Sequence, residues 1–260
     1  QKIIALVEKQ TGYRVNVDLV SGIHQHAEMI SARPETPVHV IRVNADHSRY
    51  ADYIVAAQCG GLLILWADPS QVPAMVFEKA KCEFQAKKWA GTKQLAAFPA
   101  AEAYERAHYY VEGLLRQVNS IAMEIRVANL CFQNCPSLRS LQNESFTSQL
   151  REISGAFSPK IKQSVPEEIF SKNMTMNAAL ALNWARISGS RLCLLPYEAT
   201  GYLQGGQILL NILDQLAPAS FDPISNPTLQ GHREIVDAWA ENLLLRTLYR
   251  WEMSSRVHER

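Results

Sequence analysis

The chain has 260 residues, 47% hydrophobic and 20% charged, a composition that excludes a disordered polymer and can fill one large core or two intimate ones. With 26 Lys and Arg against 25 Asp and Glu, the net charge of +1 gives no global field to attract nucleic acid or an anionic membrane. The longest apolar run, Ile54 to Trp66, is interrupted by Gln58 and falls short of the roughly 20 residues of a spanning helix, so no membrane association is expected.

The sequence opens on Gln1 with neither a charged leader nor a cleavage-site pattern, so no secretion signal is expected. The missing start methionine is read as a trimmed chain with an upstream segment. Residues 1–10 (QKIIALVEKQ) carry apolar side chains at helical spacing, and Thr11-Gly12 stops that helix. Tyr13 to Leu19 alternates apolar and polar residues, the pattern of a half-buried strand. Ser21 to Pro37, rich in turn formers and with two prolines, reads as loop, and Val38 to Val43 is a second alternating strand. Asn44-Ala45-Asp46-His47-Ser48 is a polar turn that supplies capping residues for the helix after it.

That helix, Tyr50 to Trp66 (YADYIVAAQCGGLLILW), is apolar on nearly every face and predicts a buried element interrupted by two adjacent glycines. Pro69 to Lys88 is predicted as a helix that starts at Asp68-Pro69-Ser70. Pro99 to Cys131 is predicted as a long helix with a break expected at Gly113, and Ser137 to Ile153 as a third after the stop at Asn134-Cys135-Pro136. Ser154 to Pro166 reads as a linker that divides a domain at residues 1–153 from a helical region at 154–260. One continuous domain is the alternative. Pro166 to Ile187 is alanine-rich helix, and Arg191 to Tyr197 is a short apolar strand or buried turn. Gly201 to Leu216 and Leu229 to Trp251 are the last helices.

Strand, polar turn, then buried helix is the setting in which zincin metallopeptidases carry H-E-x-x-H. There, two histidines four apart bind zinc and the glutamate works on a bound water. The corresponding positions here are Ala57, Gln58, Cys59, Gly60 and Gly61. The stretch Gln1 to Leu65 resembles the N-terminal part of the ImmA/IrrE family of zincin metallopeptidases. Where the family's helix resembles A-H-E-L-G-H-L-L, this chain has Ala56-Ala57-Gln58-Cys59-Gly60-Gly61-Leu62-Leu63. Ala56, Gly60, Leu62 and Leu63 agree with the pattern, all packing positions, and the resemblance covers about a quarter of the chain. It implies a zincin-like domain at residues 1–153, and it places the family's third zinc ligand, a glutamate on a later helix, at Glu124 in SIAMEIRVAN. A carboxylate at the edge of a helix face, paired or solvated, is the other reading of Glu124.

The residue chemistry opposes a working zinc site. A four-residue offset puts Ala57 and Gly61 on one helix face, and neither side chain offers a lone pair. Gln58 is a neutral amide and cannot take a proton from water at neutral pH. One carboxylate does not hold zinc, so no metal, no cofactor and no catalytic residue is expected at these vestigial positions. Each glycine costs about 1 kcal/mol relative to alanine inside a helix. A neighbouring element is therefore expected to press on this face, at Gly61 in particular.

The remaining motifs are weaker. His24-Gln25-His26 would need a strand to share a face and His47 to complete a metal set, but it reads as loop. Cys131 and Cys135 have neither redox nor zinc-finger spacing, and Cys59 has no histidine nearby in sequence to activate it. The five cysteines, which also include Cys82 and Cys193, form an odd, unpatterned set that predicts a reducing, cytoplasmic setting. Tyr197, Glu198 and Tyr202 combine aromatic and acidic groups in an expected loop and are the candidate surface-binding residues. Trp239, Leu243, Leu244, Leu248 and Trp251 fall at helical spacing as a core or docking face.

These readings converge on an α+β fold with a small N-terminal sheet, a central gluzincin-like helix and a large, mostly helical C-terminal portion. The expected function is that of a catalytically inactive zincin-like module, a pseudo-metallopeptidase that binds a protein partner. The alternatives are a hydrolase with a site elsewhere, built from groups such as Tyr197, Glu198, His232 and Asp237, and a purely structural helical subunit.

Overall fold

The computed structural model describes residues 2–33, 35–66, 71–155, 157–198, 200–217 and 230–255. The apolar-periodic Lys2–Thr11 forms α1. Arg14–Val20, Ala27–Ile30 and Val38–Asn44 form β1, β2 and β3 of a three-stranded sheet in the order β1-β3-β2. β1 runs parallel to β3 and β2 antiparallel to it, so Ile41 at the centre has Val17 on one side and Met29 on the other. β2 lies inside the stretch expected to be loop. Its four residues are too few to show a period among turn formers, and pairing with β3 is what makes them a strand.

His39, Ile41 and Val43 point from β3 into the core. His39 is accommodated there because its Nδ1 accepts the Ala32 N–H at 3.0 Å, which leaves the proton on Nε2 to donate to Thr11 Oγ1 at 3.1 Å. Asn44 caps the next turn as its sequence suggests, its Oδ1 accepting the Asp46 N–H at 3.0 Å.

The central helix, α2 (Ala51–Leu65), comes next. One side packs on α1 and the sheet, with Ile54, Leu62 and Leu63 against Val7, Ile41 and Val43. The other side packs on α4 (Ala100–Asn134), with Tyr53, Ala56 and Ile64 against Val127, Leu130 and Cys131. Burial from two sides explains why the helix shows no polar stripe. Gln10 closes its C-terminal end, Nε2 donating to the carbonyls of Leu63 and Trp66 at 3.3 and 3.2 Å.

Beyond the sheet the molecule is mostly helical: α3 (Lys79–Ala90), α5 (Arg139–Gly155), α6 (Pro159–Ser164), α7 (Glu167–Ser188), α8 (Leu195–Glu198), α9 (Tyr202–Leu216) and α10 (Gln230–Asn242) join α4. One core runs through them, from Leu115, Val118 and Ile125 on α4 to Ala179 on α7, Leu209 on α9 and Trp239 on α10. The segment expected to be a linker contains α6, and Phe157 and Val165 on either side of it pack against that core. α4 runs unbroken through Gly113, which is exposed. Arg191 to Tyr197 becomes helical turns rather than a strand.

Two helical expectations are corrected. Asp68-Pro69-Ser70 lies outside the described residues, and Gln71–Phe77 is a strand, β4, with helix only from Lys79. The helix expected to reach Trp251 ends at Asn242, and Tyr249–Ser255 is β5, antiparallel to β4 with Met75 opposite Trp251 and Phe77 opposite Tyr249. Pro73 cannot sit in a helix interior, yet it is tolerated in a two-stranded ribbon. Leu244 ends the last helix by turning left-handed, at φ 57°, with no glycine to announce it. Asp237 fastens β5 to α10: the Tyr249 hydroxyl and the Trp251 indole N–H donate to Oδ1 at 2.6 and 2.8 Å, and Arg246 lies 3.2 Å away.

Candidate functional site

Where α2 crosses α4 the packing is incomplete, and a half-open cavity of about 450 Å³ remains. α2 contributes Tyr53, Ile54, Ala57, Gln58, Gly61 and Leu65, a stripe at helical spacing. α4 contributes Asn119, Ser120, Met123, Glu124 and Val127 from the opposite wall. The loop before β2 and β2 itself supply Gln25, His26, Ala27 and Met29, and α5 supplies Ser145 and Gln149. The structure thus brings Ala57, Gln58, Gly61 and Glu124 to one cavity, although about sixty residues separate α2 from Glu124 in the chain.

The glycine pair divides its roles differently from the sequence expectation. A Cβ on Gly60 would lie 3.3 Å from Val127 Cγ1, so Gly60 is the close-packing residue. A Cβ on Gly61 would meet nothing within 4 Å, because Gly61 faces the cavity. The expected pressure at Gly61 falls one residue earlier.

Electrostatically the cavity is built around one carboxylate. Burial alone pushes Glu124 up to about 7, and among the described residues neither a hydrogen bond nor an ion pair meets it. Tyr53, one wall away, is held far above the usual phenol range by burial first, then by Cys131 and Glu124. Ser145 is fully buried and its Oγ has no hydrogen-bond partner among the described residues. Asn119 turns its Oδ1 to His232 Nε2 at 3.1 Å. His232 lies buried behind the wall, pushed down to about 3 by burial and by Arg126, so it stands there as the neutral ring. A neutral ring whose Nε2 faces an amide oxygen carries its proton on Nε2.

This set does not fit zinc. Ala57 and Gly61 carry no donor atom, and Glu124 is one oxygen ligand where a catalytic zinc takes three protein ligands. Of the H-x-H pair, His24 is exposed while His26 stacks on His47 with ring centroids 3.8 Å apart. Among the described residues no group of three or more His, Cys, Asp or Glu side chains could hold a metal ion. All five cysteines are free thiols, and burial pushes Cys59 and Cys131 up to about 12, which makes them packing groups at neutral pH.

The other sequence candidates scatter. Tyr197 is 1% exposed, so it is not a surface residue; it lines a second, mostly apolar cavity of about 380 Å³ with Trp184, Phe157 and Cys193. Glu198 is exposed and pairs with Arg191 at 3.5 Å, and Tyr202 packs edge-on to Phe170. Asp237 is taken by β5 and His232 by Asn119, so Tyr197, Glu198, His232 and Asp237 each keep separate neighbours.

Sequence reasoning missed Tyr53, Asn119, Ser145 and Gln149. The sequence carries no local signal for them, as at Ser145, which shares its helix face with Gln142, Ser148 and Gln149 and so reads as part of a polar face. No protein-family model, curated protein or solved structure matches this chain. Among the described residues no helix is long and apolar enough to cross a membrane.

Proposed function

We propose that the protein is a zincin-like module without metallopeptidase chemistry that works by binding a protein partner. One observation carries this reading: Ala57, Gln58 and Gly61 line a single cavity with Glu124 opposite, in the places where the resemblance puts two histidines, the general base and the third ligand. A cleft with a half-buried carboxylate and no imidazole on α2 is what remains when the metal ligands of such a site are replaced by small residues.

Binding is supported by the open edge of β1, where Val17 is 41% and Leu19 62% exposed on a strand that, among the described residues, pairs on one side only. Exposed apolar side chains on an unpaired edge are a site for strand addition by another protein. Five free thiols support a reducing, cytoplasmic setting.

The test of the zincin reading restores the ligands. Ala57→His with Gly61→His supplies two imidazoles at i and i+4, and the empty space at Gly61 leaves room for one of them. The double variant should acquire one zinc per chain, as measured by titration with elemental analysis, and adding Glu124→Gln should weaken that binding sharply. A folded double variant with no more zinc than wild type, or binding indifferent to Glu124, overturns the reading.

A further inference from the structure

Glu124 is a half-buried carboxylate with no cation facing it among the described residues, in a cavity lined by no lysine or arginine. Ser145 Oγ is a second polar atom in the same cavity left without a partner among those residues, on a side chain that is 0% exposed. Buried polar groups are nearly always satisfied, so the orphaned Ser145 hydroxyl, in the same cavity as an unpaired carboxylate, marks the place of a molecule that supplies donors. The rest of the lining sets its shape. Met29, Ile54, Ala57, Leu65, Met123 and Val127 form apolar walls, which suit an aliphatic chain. Tyr53 is the one phenol or larger ring among the described lining residues, so there is no cage for a quaternary ammonium.

We propose that this cavity binds a primary ammonium group carried on an alkyl chain, the ammonium reaching Glu124 and Ser145 and the chain lying along the methionines. A primary ammonium has three N–H donors and no acceptor, which suits the Glu124 carboxylate together with the Ser145 hydroxyl oxygen and the side-chain carbonyls of Gln58 and Gln149 in the same lining. Such a group comes either from a free alkylamine or from a lysine side chain of another protein. Amine binding needs the cavity and not the zincin kinship: histidine variants that gain no zinc leave it intact, and a failure to bind amines leaves the zinc test intact.

The experiment is a thermal-shift and calorimetric titration of the intact chain with n-pentylammonium, Nα-acetyl-lysine amide, n-pentanol and zinc chloride. The ammonium compounds should raise Tm and pentanol should not. Glu124→Gln should weaken amine binding about ten-fold or more, as expected for loss of a charge-assisted hydrogen bond, and Ser145→Ala should weaken it less. Binding by both ammonium compounds assigns the site to a lysine side chain, and binding by pentylammonium alone assigns it to a free amine.

The pH profile is a second readout. The ammonium stays charged from about pH 6 to 8 while Glu124 ionises, so affinity should rise across that range. The other titratable lining groups are Tyr53 on α2 and His26 before β2. Tyr53 stays neutral here, and the slope left in Glu124→Gln measures what His26 contributes. Equal shifts with pentanol and pentylammonium, undiminished binding in Glu124→Gln, or stabilisation by zinc with none by the amines would each overturn the proposal.

Discussion

In α9, Gly205-Gly206 is pressed onto α7: a Cβ on Gly206 would lie 2.7 Å from Ala179 N and 2.8 Å from the Ala178 carbonyl carbon, and one on Gly205 2.9 Å from Thr175 Cγ2. In α2, Gly60-Gly61 faces α4, where the atoms nearest a Gly60 Cβ belong to the Val127 and Leu130 side chains, the closest at 3.3 Å, and Gly61 has open space. The same dipeptide in mid-helix therefore does two jobs. On α9 the missing side chains let two backbones touch and leave no room between them. On α2 one glycine lets the helices approach and the next preserves the cavity that holds Glu124. A mid-helix glycine reports close approach where a neighbouring element presses on it, by backbone as at Gly206 or by side chain as at Gly60; beside a cavity, as at Gly61, it reports kept space.

The sharpest break of that comparison is Gly206→Ala. The new methyl would meet the α7 backbone, which cannot rotate out of the way, so α9 must shift off α7. Overpacking should outweigh the helix-propensity gain and cost about 3 kcal/mol. Urea unfolding checks this. A loss below about 1 kcal/mol would mean that the α9 contact yields as readily as the α2 contact.

These two helices also show what was legible in the sequence. Helical period placed α1, α2, α4, α7 and α9, and alternation placed β1 and β3, because each element's own residues carry its burial pattern. β4 and β5 were hidden because each is made a strand by the other, from opposite ends of the chain, and Leu244 ends α10 without a stop residue. At the cavity, the α2 positions and Glu124 were reached through the family resemblance rather than through spacing. Nothing local in SIAMEIRVAN tells whether Glu124 faces solvent or Tyr53. Ser145, Gln149 and His26 come from elements whose docking on α2 and α4 is a tertiary fact, so the site's other polar walls stayed invisible.

A pH series sharpens the comparison at Glu124, which lines the same cavity as Gly61. Its carboxyl is raised in the folded protein from 4.5 to about 7, so the folded state holds the proton more tightly than the unfolded chain does. The associated stability is fully present below about pH 4.5 and is lost as pH rises through about 7. At about 1.4 kcal/mol per unit, the loss is on the order of 3 kcal/mol. Glu124→Gln removes the titration, so wild type should lose stability against the variant by roughly that amount between about pH 4 and 8. Urea unfolding at about pH 4.5, 6 and 8 measures it, and parallel curves would mean that the carboxylate is solvated in the cavity.

The smallest expected effect separates the two glycines of α2 themselves. Gly61→Ala adds a methyl where nothing lies within 4 Å, so helix propensity and the less flexible unfolded chain should stabilise the protein by about 1 kcal/mol. In a chain of this size that is a Tm gain of roughly 2–4 °C. Gly60→Ala carries the same propensity gain, but its methyl meets Val127 Cγ1 at 3.3 Å, so the valine must give by a few tenths of an ångström. The gain and the crowding should nearly cancel and leave Tm within about 1 °C of wild type. Val127→Ala removes the obstructing methyls, at a cost of its own, and in that background Gly60→Ala should recover the gain seen at Gly61. A destabilised Gly61→Ala would undercut the contrast between the two pairs: the space beside Gly61 would then hold ordered water bonded to the walls rather than room for a ligand, and both glycine pairs would be packing devices of one kind.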